Sequence, residues 1–192
     1  MKATAARTPA RRGRRGTGST KRVVLMVYAV WVAVVLLPLA VFAGSSDRPS
    51  PPTTDYVDRQ IEGWTVKVQK PLVGEHADKG DRALALIGDH LYDITRALPP
   101  PAIDRLREVV IWIHHAGRGR NAQYHPSRQW LKNNGYNTDL ARCVDLGNAG
   151  VFMRHERHQP SMVLHELAHA YHDRVLGFGN PAIKKAYARA VK

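Results

Sequence analysis

The residues with the clearest chemistry lie in the stretch 161–176, SMVLHELAHAYHDRVL. His165 and His169 stand four positions apart, and Glu166 follows the first of them directly. On a helix that spacing projects both imidazoles from one face, about a turn apart. Two such nitrogens can converge on one Zn²⁺ at about 2.0–2.1 Å. A carboxylate beside them reaches a water on the metal without being a ligand, the arrangement of H-E-x-x-H zinc hydrolases. Zinc would lower the pKa of that water toward about 7 and polarise a scissile carbonyl. Glu166 would take the water's proton and pass it to the leaving amine. The tetrahedral intermediate would need a further donor from outside this helix.

A catalytic zinc site ordinarily has three protein ligands plus water. After Asp173 the chain reads RVLGFGNPAIKKAYARAVK, with no Asp, Glu, His or Cys. The longer pattern H-E-x-x-H-x-x-G-x-x-H also fails, since its Gly position is His172 and its last His position is Val175. His172 shares a face with His169 but lies seven residues from His165, about 10.5 Å along a helix. A direct bond from it to the metal would distort the site, and a place beside the ligands or facing the substrate suits it better. Asp173 could orient His169, because a ligating His usually donates its other nitrogen to an acceptor; the alternative is an ordinary exposed helix acid. Upstream, Tyr124 is a candidate transition-state donor, with a core or edge-strand tyrosine as the plainer reading. His125 is a candidate for the border of the cleft, against a surface or capping role. His155, Glu156 and His158 read as surface or capping residues, and His114 and His115 as ordinary strand-end histidines.

These residues need a scaffold. The stripe Leu164, Leu167, Ala168, Tyr171 and Val175 recurs at i, i+3, i+4, i+7 and i+11, so residues 161–176 predict an amphipathic helix buried on that stripe. Pro160 suits its first turn. Further upstream, Trp64, Val66 and Val68 alternate with polar residues, the period of a half-buried strand, and Glu62-Gly63 before them predicts a hairpin turn. Residues 81–98 carry Leu84, Leu86, Ile87, Leu91, Ile94 and Leu98, close to helical spacing, and three prolines from Pro99 end that helix. EVVIWIH, residues 108–114, reads as a buried strand. QYHP (123–126) predicts a short edge strand, 127–133 a short helix, 140–146 a weak strand, 148–157 a helix and 181–191 a last helix opened by Pro181.

At these residues the chain resembles a known family. VLHELAHAYHD, preceded by YHPSRQWL and RHQPSM, is similar to a family of bacterial zincin metallopeptidases, themselves distantly similar to the catalytic domain of anthrax lethal factor. The resemblance runs from about Gly63 to the end of the chain and is most specific over 159–175. It implies an α+β zincin fold, with a small mixed sheet, an active-site helix carrying the two His, and a peptide or protein substrate lying along an edge strand. It also implies a third ligand, a Glu on a later helix. No such Glu follows Asp173, so the expectation is a zincin-like domain that is C-terminally incomplete, or a degenerate, non-catalytic binding protein.

The rest of the sequence bears on location. The 192 residues hold a single cysteine, Cys143, so no internal disulfide is available, and the formal net charge is +13. Eight of those charges lie in residues 1–22, a stretch without acids that reads as a disordered cytoplasmic tail. Residues 23–43 carry no charge and would span about 32 Å as a helix, against a hydrocarbon core of about 30 Å. They predict a transmembrane anchor or a signal segment, with the tail held inside by its positive charge. Residues 44–58 read as a Pro/Ser linker and 59–192 as the folded domain, placed outside the cytoplasm. The basic excess therefore has a topological use, and with no recognition fold beside the tail no nucleic-acid partner is expected.

Overall fold

The architecture is known from a computed structural model, which describes residues 50–116, 121–156 and 158–191. Strand β1 (Tyr56–Ile61) turns back through Glu62 and Gly63, both at positive φ, into β2 (Trp64–Gln69). This is the expected hairpin, but β1 starts within the stretch read as linker. Asn137 ties that start down, donating to the carbonyl of Pro51 and to the Thr53 hydroxyl. Helix α1 (Ala77–Ala97) then covers the sheet with Ala83, Ile87, Leu91 and Ile94. It begins four residues earlier than its apolar period suggested. Gly80 allows this, lying so close to the Leu72 carbonyl that no side chain fits between them. The prolines end α1 and also open a helix the sequence reading missed, α2 (Pro100–Arg107), because proline is well placed in a first turn.

Strand β3 (Ile111–His114) is buried throughout. The edge strand β4 is only Gln123–Tyr124, followed by α3 (Arg128–Asn133), which Ser127 caps by accepting from the Trp130 amide. Strand β5 (Val144–Asn148) starts later than expected, and Asn148 caps α4 (Ala149–His155). The five strands form one mixed sheet in the order β1-β2-β3-β5-β4. The two outer pairs are antiparallel and the inner pairs parallel. Opposite β3, β5 carries a bulge in which Gly147 takes a positive φ.

Alternation along the strands divides the side chains between two faces. Val66, Val68, Ile111, Ile113, Val144 and Leu146 face the main core under α1, α4 and the histidine-bearing helix α5 (Met162–Tyr171). Tyr56 and Trp112 face a smaller cluster with Leu131 and Leu140. The buried side of α5 is Met162, Val163, Glu166, Leu167 and Ala170. That corrects the expected stripe, from which Val175 is in fact exposed. The α-helix stops at Tyr171 and continues as a π turn, His172–Leu176, so the angular phase assumed for Val175 is lost. Pro160 precedes the N-cap Ser161 rather than lying in the first turn. The last helix, α6, is Pro181–Ala190. Gly44–Ala186 form one compact unit, and residues from Tyr187 onward belong to another. Among the described residues no helix is long and apolar enough to cross a membrane; the expected tail (1–22) and span (23–43) lie outside them.

Candidate functional site

Helix α5 presents His165 and His169 from its less buried side, with their Nε2 atoms 3.2 Å apart and their rings at 83°. Two ligands at about 2.05 Å around a tetrahedral centre stand about 3.3 Å apart. The pair therefore has the separation that two nitrogens on one Zn²⁺ require. Burial lowers the pKa of His169, and the charges of His165 and His172 lower it further. Both effects favour the neutral imidazole, the form that binds a metal.

Glu166 points to the sheet side of the helix. One of its carboxylate oxygens accepts the backbone N–H of Tyr124 on the edge strand at 2.7 Å. Burial raises its pKa, against the opposing pull of the His165 charge and that amide. An open cleft of about 380 Å³ lies here, lined by Ala122, Gln123, Tyr124, Pro126, Glu166, His169 and Phe178. Thus Glu166, one ligand candidate and the edge strand meet in one depression.

The other expected residues fall differently. Asp173 does not serve His169; its carboxylate accepts the Tyr124 hydroxyl at 2.7 Å and faces Arg142 Nε at 3.4 Å. Asp173 lies seven positions after Glu166, so helical spacing puts both on the side that faces Tyr124. The Tyr124 hydroxyl is accordingly committed to Asp173, and its pKa is raised, by burial first and by that hydrogen bond second. His125 does not border the cleft. It is 4% exposed, packs its ring with Trp130 and Tyr136, and reaches Asp145 at 3.5 Å, while Pro126 takes the cleft position. His172 packs edge-on against Phe178, ring centres 5.0 Å apart. Among the described residues no group of three His, Cys, Asp or Glu side chains is placed to hold a metal ion.

One polar assembly escaped the sequence reading. The buried Asp145 carboxylate bonds His114 Nε2 at 2.8 Å and the Gly147 amide at 2.7 Å. The other nitrogen of His114 meets the Tyr56 hydroxyl at 2.5 Å. Burial pushes the Asp145 pKa up, but the charge and hydrogen bonds of His114 and His125 outweigh it and hold the group below the usual carboxylate range. The available signal was an aspartate between two apolar strand residues, Val144 and Leu146. Glu156, read as a surface acid, instead accepts from His90 Nε2 at 2.7 Å and ties the end of α4 to α1. Comparison of the chain with known protein families, with curated proteins and with solved structures gives no match.

Proposed function

We propose that this chain carries the core of a zinc-dependent metallopeptidase of zincin type, tethered to or exported across a membrane. One observation carries the reading: His165 and His169 hold their Nε2 atoms 3.2 Å apart while Glu166, the next residue, faces a cleft along an edge strand. His165 and His169 would hold the metal. A bound Zn²⁺ would acidify water and polarise the substrate carbonyl. Glu166 accepts the proton from water and delivers it to the leaving amine, a role that its raised pKa suits. Its bond to the Tyr124 amide fixes the carboxylate relative to the strand beside which a peptide would lie.

The test is Glu166→Gln in the full chain. Hydrolysis of a mixed peptide library should fall by about 10²–10⁴-fold, while zinc content, measured by elemental analysis, stays near that of the parent. Hydrolysis at the parental rate would refute the mechanism. A second reading, a non-catalytic zincin-like binding protein, is favoured by the lack of a third ligand among the described residues. Stoichiometric zinc together with peptide hydrolysis would exclude it.

A further inference from the structure

The basic excess outside the N-terminal tail has a definite address. Residues 44–173 hold 16 Lys and Arg against 16 Asp and Glu, whereas residues 174–192 hold five basic side chains and no acid. Arg174 is already paired with Glu108. Lys184, Lys185 and Arg189 all fall in α6. This helix is firmly started, since the Asn180 side chain accepts from the amides of Ala182 and Ile183. No residue of it is buried. Ile183, Ala186, Tyr187 and Ala190 recur at i, i+3, i+4 and i+7 and so share one face. Lys185 lies on the opposite side, and Lys184 and Arg189 on the two flanks.

A helix apolar on one side, basic on the other and free of acids matches an anionic lipid interface. A basic surface for nucleic acid would not need the apolar stripe. We propose that α6 lies on an anionic phospholipid surface. Ile183 and Tyr187 enter the boundary between headgroups and acyl chains, and Lys184, Lys185 and Arg189 face lipid phosphates. The assignment does not depend on the peptidase reading.

The experiment uses the full chain with Cys143→Ser, or Cys143→Ala if the first variant unfolds, and a single spin label on Ala190→Cys or Ala188→Cys. The first label reports the apolar face, the second the polar side. Each protein is placed in vesicles of phosphatidylcholine alone or with one-third phosphatidylglycerol. Collisions with a water-soluble nickel chelate are then measured. The Ala190 label should lose at least fivefold in accessibility in anionic vesicles only, and the Ala188 label should not. Reversing the three charges (Lys184→Glu, Lys185→Glu, Arg189→Glu) should remove the protection, the surface affinity being on the order of a hundredfold weaker. High salt should act likewise. Equal accessibility in both kinds of vesicle would overturn the proposal. So would protection in detergent without lipid, which would mean a protein contact, or protection by an oligonucleotide but not by vesicles.

Discussion

Removing the Asp145 carboxylate tests whether the enclosed network holds the sheet together. The group makes two short hydrogen bonds, to His114 and Gly147, and a longer one of 3.5 Å to His125. A hydrogen bond to a charged group contributes about 1.5–3 kcal/mol, so the two short ones amount to roughly 3–6 kcal/mol before the cost of burying the charge is set against them. Breaking one partner out of a buried pair costs about 3–5 kcal/mol, because the other is left enclosed and unpaired. Asp145→Ala is therefore expected to lose about 3–5 kcal/mol, a fall of roughly 10–20 °C in melting temperature for a domain of this size. Asp145→Asn keeps the shape and removes only the charge, so it should lose less. The pH dependence has a definite sign. The folded-state pKa lies below the unfolded value of about 3.9. The carboxylate's contribution is then fully present above that value and disappears as pH falls through the folded pKa. The gap between parent and Asp145→Asn should shrink as pH falls below about 4. The assay is thermal unfolding of the full chain across that range, with a double-mutant cycle on His114. A loss under 1 kcal/mol for Asp145→Ala, or a gap that widens as pH falls below about 4, would refute the reasoning.

Three further outcomes follow from the geometry. Tyr124→Phe removes the hydroxyl held by Asp173 and should cost about 1–2 kcal/mol in denaturant unfolding, with peptide hydrolysis reduced less than tenfold; a loss of about 10²–10³ would instead make Tyr124 the oxyanion donor. Gly80→Ala would set a methyl group 1.8 Å from the Leu72 carbonyl oxygen, so destabilisation of roughly 3 kcal/mol or more is expected, well beyond the gain of about 1 kcal/mol in helix propensity. His165→Ala and His169→Ala should each abolish zinc retention after gel filtration while leaving the melting temperature within a few degrees, since neither ring belongs to the core.

The parts legible in sequence were those governed by local rules. The hairpin followed from alternation and the Glu62-Gly63 turn, and the His165–His169 pair from helical spacing. What escaped depended on phase and on distant partners. The buried stripe was placed one position off within α5 itself, which buries Val163, Glu166 and Ala170 rather than Leu164 and Tyr171, and past Tyr171 a π turn breaks the α phase for Val175. Asp173 meets Tyr124, 49 positions earlier, a pairing that no local period reveals. Asp145 and His114 are 31 positions apart and meet only because β3 and β5 are neighbours with a bulge between them. No window of sequence contains both residues, so periodicity alone could not pair them.

The edge strand holds the histidine-bearing helix at two points through one residue. The Tyr124 backbone amide binds Glu166, and the Tyr124 hydroxyl binds Asp173, seven positions and about two turns further on. The two ties are chemically different. The amide is present whatever side chain occupies position 124, so the placement of Glu166 against the cleft is insensitive to most substitutions there. The hydroxyl tie depends on tyrosine and secures the π turn, where helical hydrogen bonding is weakest. Damage at position 124 should therefore loosen the far end of the helix first and leave Glu166, with the His165–His169 pair around it, close to its present geometry. Glu166 is thus placed by a main-chain atom of a strand that is itself paired antiparallel with β5.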